Sequence, residues 1–535
     1  MKTNIPTLLH RFNISLFLVV CCVFLQSQQF AWSAPLPNIV VIYTDDQGYG
    51  DVSALNPDAK FQTPNMDRLA KEGLTFTDGH CSDTVCTPSR YGLLTGRYSW
   101  RTARLKKGVM GADADCLIAD GRMTVPSLLK QHGYKTAMIG KWHLGMQIPG
   151  NKGKRDWSAP VKDGPITKGF DYYFGIPASM NYGVLTYIEN DKILEPATKW
   201  TRKKHPKSEI DSGAAAYRMM PPYDDEPKGK GDIEVAPSFI DELVLETFTN
   251  RAVKYISESA QDAKSGKPFF LYFPVNSPHL PHSTHPDFIG KSKMGEYGDF
   301  MEETDHRVGQ ILKALDDNRL TENTLVFFSS DNGAETNYRD WKRIYNHQCN
   351  GDFRGGKRDI YEGGHRVPFL MRWPGVIEPN SKSNVPVCQT DLLATVAQIV
   401  GAKLPNNAGE DSFGLLSIMR NSSEVIPAHG PVIHHSGSGH FAIRDGKWKL
   451  NMFRGSGGSL APKMVKPKKG QSPYELYNLE TDPGETNDVS AENPGIVKQL
   501  TESITKIVQS GRSRDGKPTS NDGPKHWPQL TWIEK

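Results

Sequence analysis

The sequence predicts an α/β fold built on a parallel sheet covered by helices, and three observations carry that expectation. Four separate runs, "NIVVIYTDDQG" from Asn38, "YKTAMIGKWHLG" from Tyr134, "KPFFLYFPVNSPH" from Lys267 and "NTLVFFSSDNG" from Asn323, each hold a short apolar, β-rich core. Strands buried on both faces read this way, whereas half-exposed strands alternate. Stretches with helical spacing separate the runs, as in α/β folds. Each run also ends in residues able to bind metal or anion: Asp-Asp, Lys-Trp-His, Ser-Pro-His and Asp-Asn. In parallel sheets ligands gather beyond the carboxyl ends of the strands, so four such endings predict one shared site.

At the start of the chain, Lys2 and Arg11 flank the approach to an apolar stretch from Ile14 to Leu25, and small residues surround Ala31-Trp-Ser33-Ala34. This is the layout of a secretory signal over residues 1–33, so the chain is expected to be exported, to the periplasm or outside the cell. A membrane anchor competes with that reading, but the apolar run is shorter than the roughly 20 residues a spanning helix needs. No later segment is long and apolar enough for a stable membrane span, and valine rather than a small residue precedes Cys21, against a lipoprotein.

Residues 34–404 are expected to hold the sheet and the site. In "TPNMDRLAKEG", Thr63 is placed to cap a helix and Pro64 to start it, Met66, Leu69 and Ala70 share one face, and Gly73 stops it. Phe300, Val308, Ile311, Leu312 and Leu315 recur at helical spacing, as do Leu392, Val396, Ile399 and Val400 before Gly401. From about 149 to 231, clusters such as "GNKGKRDW" and "KWTRKKHPK" mark a loop-rich insertion, either a solvated face or loops around a cleft for an acidic substrate. From 405 to 535, "GHFAIRDGKWKLNMF" and "YELYNLETDPGE" read as strands of a smaller α+β subdomain.

The 535 residues suffice for a full core, and 49 glycines with 37 prolines imply long connections. A net charge of +4, without a sustained basic run interleaved with aromatics, argues against nucleic-acid binding. Outside the leader the cysteines are Cys81, Cys86, Cys116, Cys349 and Cys388. An odd number in an oxidising compartment leaves at least one unbridged, with up to two bridges among the others.

Asp45 and Asp46 adjoin at a strand end, and both can meet one ion only if the chain turns there; "DDQGYGD" offers glycines for the turn. Asp331 and Asn332 before Gly333 repeat the arrangement. Each pair alone reads as a turn or helix cap, but together three carboxylates and an amide oxygen form a hard site suited to Ca²⁺ or Mg²⁺ rather than zinc. Arg90, Lys141, His143, His279 and Lys357 add positive charge, and fixed cations beside a divalent ion are what a tetrahedral oxyanion needs. Singly they read as surface cations and locally satisfied histidines; glycines beside Lys141 and Lys357 suggest close approach of backbone to a ligand. In "CSDTVCTPSRYGLLTGR", the two cysteines could form a zinc half-site or a disulfide half. Thr87-Pro88, however, reads as an N-cap and first-turn proline, placing Cys86 at a helix amino end that favours anions and depresses a thiol's pKa. Cys81 keeps the ordinary reading of a disulfide half.

"CTPSR" followed by "GLLTGR" resembles the signature of the type I, formylglycine-dependent sulfatases, and "TDDQG", "GKWHLG", "SPH", "SDNG" and "GGKRDIYEGG" resemble that family's other blocks, in its order. The likeness runs from about Asn38 to about Pro374, with weaker likeness beyond. It implies an arylsulfatase-like enzyme of the alkaline phosphatase superfamily, with a mixed, mostly parallel central sheet flanked by helices and a smaller C-terminal subdomain. A formylglycine-generating, or sulfatase-maturing, enzyme would convert Cys86 to formylglycine, whose hydrate carries two hydroxyls. One attacks sulfur and expels the alcohol, leaving a sulfo-enzyme; the other loses its proton as the aldehyde reforms and sulfate leaves, two easier steps replacing one. The resemblance further implies that Asp45, Asp46, Asp331 and Asn332 bind one Ca²⁺ together with the oxygen derived from Cys86. Arg90 and Lys141 would hold the hydrate, His143 would assist elimination, His279 would protonate the leaving oxygen, Lys357 would bind sulfate, and Ser179 in "GIPASMNYG" would stand on the sulfate side. The expected substrate is a sulfated sugar or polysaccharide, with small aryl sulfates as artificial substrates. Two other readings compete: a phosphate or phosphonate ester hydrolase of the same superfamily, and a catalytically silent protein that binds sulfated glycans.

Overall fold

The computed structural model describes residues 1, 35–102, 105, 108–201, 221–421, 429–522 and 527–533. The expected leader, apart from Met1, and most of "KWTRKKHPK" lie outside these residues. Among the described residues, no helix is long and apolar enough to cross a membrane.

The four apolar runs become the strands Asn38–Thr44, Lys135–Lys141, Phe269–Pro274 and Thr324–Ser330. They lie side by side in a ten-stranded sheet. Asn38–Thr44 pairs in parallel with Phe269–Pro274 on one side and Thr324–Ser330 on the other; Lys135–Lys141 extends the parallel block, as does Tyr172–Ile176. Antiparallel neighbours at both flanks, Phe369–Arg372 and Ile188–Glu189, make the whole sheet mixed.

Side-chain alternation explains why the runs are continuously apolar. Val40 and Ile42 point to one face and pack with Met66, Phe248, Ile256, Phe300 and Ile311; Ile39, Val41 and Tyr43 point to the other and pack with Leu93, Leu129, Leu392 and Val396. Both faces are covered by helices, so neither set of residues can be polar. The helices include Pro64–Glu72, Val244–Lys264, Gly295–Asp317, Cys86–Thr95 and Leu392–Ile399. Gly73 does end the first of them, but with an extended φ of −144°. Its need for glycine is spatial, since a Cβ there would stand 2.2 Å from the Met371 carbonyl oxygen. Gly73→Ala is expected to cost about 1–3 kcal/mol through forced displacement of that strand, read as a lower urea midpoint with unchanged slope.

The region from 405 onward carries a four-stranded antiparallel sheet, Val432–His435, Phe441–Asp445, Trp448–Asn451 and Glu475–Asn478, with the helix Pro494–Ser510. Tyr98 and Trp100, which follow the Cys86 helix, belong to its apolar core. Arg101 also pairs with Asp411 at 2.8 Å, both fully buried, tying this subdomain to the segment that follows the Cys86 helix. The insertion contributes a hairpin, Gly150–Asn151 with Lys154–Arg155, and a small sheet of Val184–Leu185, Lys199–Thr201 and Ile233–Val235.

The cysteines correct an expectation. Cys81, Cys86, Cys116, Cys349 and Cys388 are all buried, and none of them forms a disulfide. Cys116, Cys349 and Cys388 lie in three different apolar cores. Cys81 is not a disulfide half: its S–H reaches the carbonyls of Asp83 at 2.9 Å and His365 at 3.3 Å.

Candidate active site

The ends of the four central strands converge on one buried cluster. Asp45 and Asp46 follow Asn38–Thr44, Lys141 closes Lys135–Lys141 with His143 two residues on, His279 lies beyond Phe269–Pro274, and Asp331 and Asn332 follow Thr324–Ser330. Arg90 arrives from the Cys86 helix and Lys357 from the loop before Phe369–Arg372. All are buried.

The turn that joins the two aspartates is made by Asp46 itself, at φ 66°, and not by the following glycines. Gly48 and Gly50 serve packing instead: a Cβ on either would lie 2.1 Å and 2.2 Å from the carbonyls of Cys349 and Gln348 respectively. Asp46 N donates to Asp331 Oδ1 at 3.1 Å and Asp45 N to the Ser277 carbonyl at 2.9 Å, which pin the unusual conformation. His143 is also left-handed, at φ 56°. Two such non-glycine residues in one cluster mark backbone strain held by its surroundings. The glycines beside the lysines likewise answer to protein neighbours, contrary to the expectation of close ligand approach. A Cβ on Gly140 would meet the Pro274 carbonyl at 2.0 Å, and one on Gly356 the Ala334 carbonyl at 2.7 Å.

Every carboxylate is matched by a cation. Arg90 donates to Asp331 Oδ2 at 2.6 and 3.0 Å, Lys141 to Asp45 Oδ2, and Lys357 to Asp46 Oδ2 at 2.6 Å. Asn332 Nδ2 donates to Asp46 Oδ1 at 2.7 Å. Two oxygens stay buried without a hydrogen-bond donor, Asp45 Oδ1 and Asn332 Oδ1. Uncompensated buried acceptors are costly, and a cation would satisfy both. Potential ligand atoms of Asp45, Asp46, Cys86 and His279 all lie within 4.8 Å of one another. The oxygens of Asp45, Asp46 and Asn332 suit a hard divalent ion; the Cys86 thiol and the His279 imidazole beside them do not.

Cys86 is the first residue of the helix Cys86–Thr95, whose N-cap is Val85. Thr87 is therefore not the cap; its Oγ1 accepts from Met110 N at 3.2 Å. Cys86 stays at the helix amino end, but its thiol is not depressed. Burial pushes it up to about 12, against the lowering pull of Lys357 and Lys141. Burial likewise lowers His279, to about 3, and drives His143 well below the ordinary imidazole range, with Lys141 and Arg90 adding to the shift. Burial, then the charge of Asp45, raises Asp331. His279 Nδ1–H donates to the Leu280 carbonyl at 2.5 Å, leaving Nε2 facing Asp46 at 3.7 Å. His143 Nε2–H donates to the Met110 carbonyl at 3.2 Å, and its Nδ1 is buried without a partner. Ser179 Oγ is buried and has no hydrogen-bond partner, so no such bond ties it to the cluster.

A cavity of about 470 Å³ opens onto Cys86, His279 and Lys357. Its walls include Asn181, Tyr182, Glu335 and Arg358, none of which stood out in the sequence. Arg358 forks onto Glu335 at 2.5 and 2.9 Å. The only signal for it was adjacency to Lys357 in "GGKRD". A second buried group, His80, His365 and His434, has ligand-type side chains as well. Its His365 and His434 rings stack with centroids 3.6 Å apart and planes 10° apart. Their in-plane lone pairs then run side by side and do not converge on one ion.

Comparison with known proteins gives the same picture. The Sulfatase family model matches residues 37–402, and a second one, described as N-sulphoglucosamine sulphohydrolase, C-terminal, matches 354–510. The chain is 31% identical over 490 residues to an N-acetylgalactosamine-6-O-sulfatase of Bacteroides thetaiotaomicron, covering 88% of this chain and 93% of that one. It is 32% identical to human arylsulfatase A, covering 88% and 87%. A solved structure from work on the metabolism of multiple glycosaminoglycans by B. thetaiotaomicron superposes with a TM-score of 0.75 at 30% identity, covering 89% of this chain and 99% of that one. With the convergent strand ends, these matches show that the chain belongs to the sulfatase family and is a sulfuric ester hydrolase.

Proposed function

We propose that this protein is an exported enzyme that hydrolyses sulfate esters of a sugar or polysaccharide, with one Ca²⁺ and with formylglycine made from Cys86 by a maturing enzyme. The observation that carries this is the position of Cys86, on the first turn of a buried helix and among Asp45, Asp46 and His279. The name of the N-acetylgalactosamine-6-O-sulfatase relative supports a sulfated sugar. Hydrated formylglycine at position 86 would supply two hydroxyls on one carbon, one to attack sulfur and one whose deprotonation lets sulfate leave. Asp45, Asp46, Asp331 and Asn332 would hold Ca²⁺, which supplies positive charge for the sulfate oxygens. That charge is needed because Arg90, Lys141 and Lys357 are already balanced by the three aspartates.

The chain's own groups then divide the work. Arg90 and Lys141 orient the group at position 86, and Asp331 takes the attacking hydroxyl's proton. Lys357 reaches the sulfate from the cavity wall. His279 delivers a proton from Nε2 to the leaving oxygen only as the imidazolium, a form that burial opposes and the Asp46 carboxylate at 3.7 Å favours, its ring orientation fixed by the Leu280 bond. His143 is suited to receive the second hydroxyl's proton, because Nε2–H is committed to Met110 and Nδ1 keeps a lone pair.

Protein from the native host should show formylglycine in the Cys86 peptide by mass spectrometry, and should release sulfate from aryl and sugar sulfates far faster than phosphate from mono- or diesters. Only thiol at Cys86 would remove the nucleophile, and a dominant phosphodiesterase rate would reassign the reaction. Chelation with EDTA is expected to lower kcat/KM by about 10²-fold or more, the scale of losing one charge-stabilising element, with recovery on adding Ca²⁺.

A further inference from the structure

The wall of the catalytic cavity carries an acidic residue that the reaction does not use. Glu335 lies three residues past Asn332, and Lys357 N donates to the Ala334 carbonyl at 2.9 Å. The segment that carries Glu335 is thereby bonded to the one that carries Lys357 and Arg358, and all three residues line the cavity together with Cys86.

The Glu335 carboxylate is fixed from several sides. Arg358 donates to Oε1 at 2.5 Å and to Oε2 at 2.9 Å, Thr336 N donates to Oε1 at 2.7 Å, and the Lys357 ammonium stands 3.6 Å from Oε2. Burial opposes its charge, but Lys357 and the Arg358 fork hold the carboxyl well below the usual carboxylate range, so it is ionised. Two cations and two carboxylates thus balance at this wall, Lys357 against Asp46 at 2.6 Å and Arg358 against Glu335. Asp46 is also a proposed ligand of the divalent ion. Glu335 is not among the groups gathered around that ion, so it is the counter-charge the ion does not share.

That balance matters for the charge of the substrate. A sulfate monoester carries one negative charge, whereas a phosphate monoester carries about 1.5 to 2 near pH 7. Cations already matched by a carboxylate attract the extra charge weakly, and a built-in repulsive group is a general source of specificity. Such an effect is electrostatic and needs no contact between Glu335 and the ester.

We propose that Glu335 is a specificity-determining residue of this hydrolase: by balancing Lys357 and Arg358 at the cavity wall, its carboxylate favours a singly charged sulfate ester over a doubly charged phosphate ester. The proposal rests on the sulfatase reading of the cavity.

The test uses mature full-length protein and two substrates with one leaving group, 4-methylumbelliferyl sulfate and 4-methylumbelliferyl phosphate. The readout is the ratio of their kcat/KM values, in which a loss of folded protein or of general activity cancels. Glu335→Gln keeps the side chain's size and an oxygen for Thr336 N. It should lower the sulfate-over-phosphate ratio about tenfold, a Coulomb effect of one charge across a partly screened site. Glu335→Asp keeps the charge and should hold the ratio within about threefold of the native value. Arg358→Gln removes the opposite charge and should raise the ratio. An unchanged ratio in Glu335→Gln, an equal fall in Glu335→Asp, or a fall in Arg358→Gln overturns the proposal. Failure of the sulfatase reading looks different: native protein fully converted at Cys86 would turn over chiefly the phosphate ester, or neither ester. In the first case the same shift in ratio is expected on substitution. In the second, thermal shifts by the two esters replace it: Glu335→Gln should gain more stabilisation from the phosphate ester than from the sulfate ester, and equal gains overturn the proposal.

Discussion

Cys86→Ser is expected to turn the enzyme into a single-turnover reagent. The substituted hydroxyl stands at the same helix start, buried beside Asp45, Asp46 and His279, and can still attack sulfur while His279 protonates the departing alcohol. One S–O bond forms and one breaks, leaving the sulfo group on the side chain at position 86. A serine side chain carries no second hydroxyl on the same carbon, so there is no proton whose loss expels sulfate, and the product can leave only by attack of water at sulfur. Steady-state kcat should fall by about 10³-fold or more, in the range seen when a nucleophile is disabled. Alcohol release should approach one equivalent per protein, and mass spectrometry should find the sulfo group on the tryptic peptide that contains position 86. The substitution removes little volume and breaks no hydrogen bond of the helix cap, so the thermal midpoint should move little. Multiple turnovers at the native rate would show that the second hydroxyl is not needed and would overturn the formylglycine mechanism.

Much of the fold was legible because the sheet is covered on both sides. Burial of Ile39, Val41 and Tyr43 on one face and Val40 and Ile42 on the other leaves an unbroken apolar run that sequence inspection reads directly. The strand ends were legible for a related reason: a charged residue immediately after such a run has few places to go except the shared edge. What failed to show was whatever depends on contacts between distant segments. Gly48 is glycine because the Cys349 carbonyl lies where its Cβ would be, and nothing near Gly48 in the sequence announces that. The left-handed turn at Asp46 is held by Asp331 and Ser277, again remote. Cys81 was misread because compartment and count say nothing about the carbonyls of Asp83 and His365 that occupy its S–H. The mouth of the cavity was the least visible part. Tyr182, Glu335 and Arg358 belong to loops without periodicity.

Asp46 separates the two things an active-site residue can contribute, charge and backbone shape. Its side chain pairs with Lys357 at 2.6 Å and accepts from Asn332 at 2.7 Å, while its backbone makes the left-handed turn that brings it beside Asp45. Asp46→Asn retains a residue that tolerates left-handed φ and retains an oxygen for Asn332 Nδ2, but removes one negative charge from the proposed ion site and from Lys357. Lys357 keeps partial compensation from Glu335 at 3.6 Å, so the protein should still fold, whereas kcat/KM should fall by about 10²–10³-fold, the loss typical of one preorganised electrostatic group. Asp46→Val removes the same charge and adds a β-branched side chain where φ is 66°, at a further cost of about 1–2 kcal/mol for the left-handed conformation. Asp46→Val should therefore have the lower thermal midpoint, and an activity no higher than that of Asp46→Asn, because it also loses the oxygen that accepts from Asn332. Calcium distinguishes them from the native chain: an ion that binds only the folded state raises the midpoint in proportion to ln(1 + [L]/Kd), so CaCl₂ should stabilise the native protein and leave both variants nearly unmoved. An undiminished calcium response in Asp46→Asn would place the ion elsewhere, and equal midpoints for the two variants would mean that the turn does not depend on the residue that makes it.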